Sequence, residues 1–143
     1  MSTQTSPIVS PRLRTVDKIR LGIEILDAYR IVRHSLAARP LPETVELLRS
    51  PGRRRARVLA DPHRDGVRLG RAVTRMLDRP PVRAVCLGRS LVLLRLLAAR
   101  GAAGELVISA VPRAPALDAH AWIELDGRPL LPPGPEHARL VML

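Results

Sequence analysis

Aromatic residues are almost missing from this chain. They make up 1% of its 143 residues, as Tyr29 and Trp122 alone. The core must therefore be built from Leu, Val, Ile and Ala, and a hydrophobic content of 46% is enough for one domain of this length. The same scarcity speaks against nucleic-acid binding by base stacking, which needs aromatics interleaved with cations. Cysteine is reduced to Cys86, so no internal disulfide can form, which suits a reducing cytoplasm. No apolar run approaches the roughly 20 residues that cross a bilayer, so no membrane association is expected. Residues 1–10 lack a basic start and an apolar stretch, so no signal peptide is expected and the reading is cytoplasmic. Acidic residues number 13 against 24 basic ones, a net charge of +11 carried almost wholly by arginine. Such a chain can attract nucleic acid, an acidic peptide or an anionic surface. The arginines are dispersed, however, which points to a bias towards Arg, Ala, Leu and Pro. The one dense run, Arg53-Arg54-Arg55-Ala56-Arg57, lies in a Pro/Gly-flanked loop. No nucleic-acid partner is expected. No His/Cys/Asp/Glu cluster has close metal-ligand spacing, and no glycine loop of the phosphate-cradling kind is present, so neither metal nor cofactor is expected.

What the chain does have is one punctuated stretch, Pro80-Pro81-Val82-Arg83-Ala84-Val85-Cys86-Leu87-Gly88-Arg89-Ser90-Leu91. The double proline ends whatever precedes it, and an apolar run from Leu91 to Ala99 follows. Cys86 thus reads as the first turn of a buried helix over residues 86–100, closed by Gly101. The unpaired N–H groups and partial positive charge of a helix start favour a thiolate, so the position suits a reactive cysteine.

Before this stretch the chain reads as helical. Residues 1–11 are polar, carry two prolines and read as disordered. Thr15 can cap a helix to about residue 38, with Val16, Ile19, Ile23, Leu26, Tyr29 and Val32 at helical spacing as its apolar face. Pro40 stops it, and Pro42 opens a short helix to Arg49. Residues 61–65 read as a turn, followed by an amphipathic helix to Asp78. Arg64, Arg68, Arg71 and Arg75 share its polar side, as a solvated face or a docking stripe for an acidic partner.

After the cysteine helix the pattern turns to strands: residues 104–111, a proline-containing loop over 112–117, then residues 119–125. Asp126-Gly127 is a two-residue hairpin turn. Residues 128–131 start a third strand, and 139–143 form a short last one. The order is α+β: a helical N-terminal half, then the cysteine-bearing helix packed on a small antiparallel sheet. Period-two alternation puts Ala119, Ala121, Ile123 and Leu125 towards the core, and His120, Trp122, Glu124 and Asp126 towards a site or solvent. Acyl transfer by cysteine needs a thiolate, a base or imidazolium, and oxyanion donors. Cys86 supplies the first and His120 fits the second. The first-turn N–H groups offer part of the third. Gly88 would let a substrate backbone come close, and Trp122 would wall the imidazole from water.

The residues Cys86-Leu87-Gly88-Arg89-Ser90-Leu91, Leu97-Ala98-Ala99-Arg100-Gly101, Glu105-Leu106-Val107-Ile108 and His120-Ala121-Trp122-Ile123-Glu124-Leu125-Asp126-Gly127 resemble the lasso peptide biosynthesis B2 protein family. The resemblance spans residues 12 to about 131. It implies a transglutaminase-like, papain-related cysteine peptidase that removes the leader from a ribosomally made precursor, with Cys86 as nucleophile and His120 as base. It also implies a separate leader-recognition protein and a separate ATP-dependent cyclase as partners. On this reading residues 12–143 are one domain, in which 12–79 dock the partner or leader and 80–143 hold the catalytic core. The family's aspartate would fall at Pro132. Glu124 or Asp126 on the histidine strand, or Glu136 from the tail, are left as the third member; otherwise the site is a dyad or inactive.

Overall fold

A helix that is apolar on nearly every side has to be surrounded, and α4 (Cys86–Ala99) is. Leu91, Val92, Leu93, Leu94, Leu96 and Leu97 are all buried. In the computed structural model, which describes residues 15–50, 58–80, 84–113, 116–131 and 141–142, three other helices and a sheet pack around it. They are α1 (Thr15–Ala38), α2 (Leu41–Arg49), α3 (Pro62–Leu77), β1 (Glu105–Arg113), β2 (Ala116–Leu125), β3 (Arg128–Pro129) and β4 (Val141–Met142). The architecture is the expected α+β: helices first, then an antiparallel sheet in the order β3-β2-β1-β4.

Local chemistry sets the helix limits. Asp61 caps α3 by accepting from the Arg64 N–H at 3.2 Å, while Asp65 Oδ2 accepts from the Asp61 N–H at 3.1 Å. The stretch expected to be a turn, residues 61–65, is therefore the reciprocally capped first turn of α3. Arg64, Arg68, Arg71 and Arg75 all lie exposed on that helix. At the far end of α4, Gly101 takes φ +77°, and the Ala102 N–H reaches the Leu97 carbonyl at 2.9 Å. This is a left-handed helix ending of the kind glycine permits.

The extent of α1 matches expectation, and Val32 and Tyr29 meet the core as expected, but the rest of the expected face does not. Ile25, Ala28, Val32 and Ser35 form the buried face. Val16, Ile19, Ile23 and Leu26, expected to face the core, are 42–63% exposed. At 100° per residue each set spans about 80° of the helix, and the two lie about 180° apart. The helix thus has two apolar stripes, and the core takes the one that also offers Ala28 and Ser35 for close approach. Arg100 of α4 fixes this choice by donating two 2.8 Å bonds to Glu24.

The first hairpin is longer than expected. In place of a loop over 112–117, β1 runs through Pro112 and Arg113, which pair with Leu117 and Ala116. Among the described residues, β4 pairs with Val107 and Ile108 and no strand lies on the far side of Pro112 to ask for the missing N–H. At the other end, Asp126 and Gly127 take φ 50° and 74° between paired Leu125 and Arg128. Two successive positive φ values are the signature of the two-residue hairpin read from Asp-Gly. The third strand is shorter than the expected residues 128–131, although the Leu130 N–H still bonds the Ile123 carbonyl at 3.0 Å. Val141–Met142 lies within the expected last strand. Residues 1–11, the arginine run at 53–57, Pro132 and Glu136 fall outside the described residues. Among the described residues, no helix is long and apolar enough to cross a membrane.

Candidate active site

Helix α4 and strand β2 bring the two predicted reactive residues to one place. Cys86 opens α4, and His120 sits on β2. Both are half-buried, and both line a cavity of about 200 Å³. Its other walls come from α3 (Gly70, Val73, Thr74), from α4 (Arg89, Ser90, Leu93), from Ala121, Trp122 and Ile123 of β2, and from Leu131. The N-cap of α4 is Val85, which has no side-chain acceptor and makes no cap. The first-turn N–H groups beside Cys86 therefore find no side-chain acceptor on the cap residue, in contrast to α3 with Asp61, and only the Arg89 N–H donates to the Val85 carbonyl.

One hydrogen bond ties the two elements together. Ser90 stands one helical turn after Cys86, on the same side of α4. Its Oγ donates to the Ala121 carbonyl at 3.1 Å in a buried position, next to His120 in the chain. The sheet register explains why that carbonyl needs a donor. The Ile123 carbonyl, two residues on, takes the Leu130 N–H. Continuing that register would call for an N–H at position 132, and proline has none. Nothing in the sequence reading marked Ser90 as a site residue; its i+4 spacing from Cys86 was the available signal.

The histidine-bearing face of β2 departs from expectation. Ala121, Ile123 and Leu125 do face the main core, as alternation predicts. Trp122 borders the cavity as expected, but it and Glu124 are only 5% and 3% exposed, so neither faces open solvent. Trp122 stands opposite Val107 of β1, itself fully buried. Both faces of the middle of β2 are therefore covered. The Trp122 indole lies against the His120 imidazole, with ring centroids 5.9 Å apart and planes 27° apart. Its Nε1 donates to Glu124 Oε1 at 3.1 Å. Imidazole, indole and carboxylate thus form a row along one face of the strand.

Two suggested roles do not fit these positions. Asp126 is exposed at the hairpin turn, six residues and about 20 Å along the strand from His120. That is beyond the reach of an aspartate, so Asp126 serves the turn. Gly88 does not line the cavity. A Cβ placed there would meet Ala84 Cβ at 3.8 Å and Tyr29 Cε2 at 3.9 Å, which puts the glycine on the α1 side of α4, away from a substrate backbone. Glu124 lies about 13 Å of strand from His120 and engages the tryptophan between them. Among the described residues no group of three His, Cys, Asp or Glu side chains is placed to hold a metal ion.

A family model, described as Transglutaminase-like superfamily, matches residues 26–142. The match takes in α4, the whole sheet and most of the helical half. No curated protein and no solved structure matched the chain.

Proposed function

The chain belongs to the transglutaminase-like superfamily, and from that premise we propose that it is a cysteine peptidase that cleaves the leader from a ribosomally made lasso peptide precursor. The observation that carries the reading is the shared cavity, which Cys86 at the start of α4 and His120 on β2 both line. In the proposed reaction the Cys86 thiolate attacks the carbonyl carbon of the scissile bond, and first-turn N–H groups of α4 receive the developing oxyanion. The His120 imidazolium gives its proton to the leaving nitrogen, which departs as the free amino terminus of the core peptide. The leader is left as a thioester on Sγ. Water, deprotonated by His120, then attacks that thioester, restoring the thiolate and releasing the leader as a carboxylate. The freed amine is what a separate ATP-dependent cyclase would join to a side-chain carboxylate.

The row of His120, Trp122 and Glu124 supports an arrangement in which the imidazole is oriented by packing on the indole, and Glu124 holds the indole in place. Trp122 shields one side of the imidazole and borders the substrate cavity. The helices before Cys86, with the arginine stripe of α3, would dock the leader or a separate leader-recognition protein in the cytoplasm.

The test is a cleavage reaction followed by mass spectrometry, combining the chain, its leader-binding partner and the cognate precursor. Leader release by the wild type, and none by Cys86→Ala or His120→Ala, is expected. A complex that forms without release by the wild type would replace the peptidase with a non-catalytic scaffold of the same fold.

A further inference from the structure

Helix α1 presents an apolar seam to solvent that the other described residues leave uncovered. Val16, Ile19, Ile23 and Leu26 are 59%, 58%, 63% and 42% exposed, while the opposite face of the same helix is locked into the core. Their spacing is 3, 4, 3, the alternation of a helix–helix seam. The line continues at the same spacing into Arg30 and Arg33, both exposed, and the Arg33 guanidinium rests 5.9 Å above the Tyr29 ring. One end of the seam is therefore aliphatic and the other cationic.

We propose that this seam docks a helix of a partner protein, one with an aliphatic stripe at i, i+3, i+7 and i+10 that ends in acidic side chains opposite Arg30 and Arg33. Charge chooses among the occupants. A second copy carries the same net charge of +11 and has no acidic residue in line with its own seam to meet the two arginines. Four aliphatic side chains along about 15 Å of helix are also less than a stable homodimer buries. A membrane surface asks for a broad apolar face, whereas this one is about 80° wide on a helix whose other side is already packed. A single amphipathic helix laid along α1 matches both the width and the charge. The inference does not rest on the peptidase reading, because binding is measured without cleavage.

The test uses the full chain and a synthetic helix of about 20 residues, with leucines at the four seam positions and glutamates at both ends of the stripe; a second peptide carries lysines in place of the glutamates. Binding is read by fluorescence anisotropy. The glutamate peptide is expected to bind and the lysine peptide not to. Ile19→Ser/Ile23→Ser should weaken binding by roughly tenfold or more, as the two isoleucines lose buried area. Arg30→Glu/Arg33→Glu should invert the preference between the peptides. All four residues are exposed, so thermal unfolding of both variants should match the wild type. No binding, equal binding of the two peptides, or indifference to the isoleucine variant would overturn the proposal. So would a concentration-dependent dimer that Ile19→Ser/Ile23→Ser dissociates, or retention on anionic vesicles that the same variant abolishes.

Discussion

Replacing Ser90 by alanine removes one oxygen and separates two elements. The Ser90 Oγ donates to the Ala121 carbonyl at 3.1 Å, in a position shielded from water. The variant therefore loses the bond and also leaves a buried acceptor unpaired, a cost of about 1–3 kcal/mol. For a chain of this size each kcal/mol lowers Tm by about 2–4 °C, so the expected fall is about 2–12 °C. Urea unfolding should show the midpoint falling while the slope stays the same, since no extra surface is exposed. Activity should fall as well, because Ser90 holds the strand of His120 against the helix of Cys86. As a positioning residue it should lower kcat and leave leader affinity unchanged. A Tm within about 1 °C of the wild type, corresponding to under about 0.5 kcal/mol, would refute the reasoning, for it would mean that the Ala121 carbonyl finds another donor.

Three further outcomes follow from the same physics. Thr44 Oγ1 is buried with no partner among the described residues, so Thr44→Val should stabilise the chain by about 1 kcal/mol, read as a higher urea midpoint at unchanged slope. Gly127 has φ 74° at the hairpin turn, and Gly127→Ala should cost about 1 kcal/mol even though nothing lies within 4 Å of the added methyl. Arg100 and Glu24 share two 2.8 Å bonds at partly buried positions, so a double-mutant cycle over Arg100→Ala and Glu24→Ala should give a coupling of about 1 kcal/mol, weakening as salt is raised.

Much of this fold was legible because local chemistry and global packing agree. Proline at 40 and 42, glycine at 101 and Asp126-Gly127 mark boundaries by their backbone preferences alone, and the structure puts breaks at those points. The all-round apolar character of α4 announced its central position. Legibility failed where one signal served two purposes. Helix α1 carries two apolar stripes, and periodicity finds both without saying which one meets the core. Pro112 reads as a strand breaker, yet β1 carries it in register opposite Leu117, a fact of tertiary pairing rather than of sequence. Alternation on β2 sorts Ala121 from Trp122 correctly but leaves open whether the second face meets a site or solvent, and Trp122 and Glu124 prove buried. At the site, Cys86 and His120 were visible as residue types in the right elements. Ser90 was not, because its role depends on a carbonyl of a strand thirty-one residues away, which no local pattern encodes.

The pairing of Trp122 with His120 has an optical consequence. Trp122 is the only tryptophan of the chain, and its indole is stacked on the imidazole and anchored by Glu124. The tryptophan emission of the whole protein therefore originates in the candidate site. Protonation of the imidazole, alkylation of Cys86 or arrival of a peptide in the cavity each alter the surroundings of that single fluorophore. The unlabelled chain carries its own reporter, and stopped-flow fluorescence can follow the site in time without any added dye.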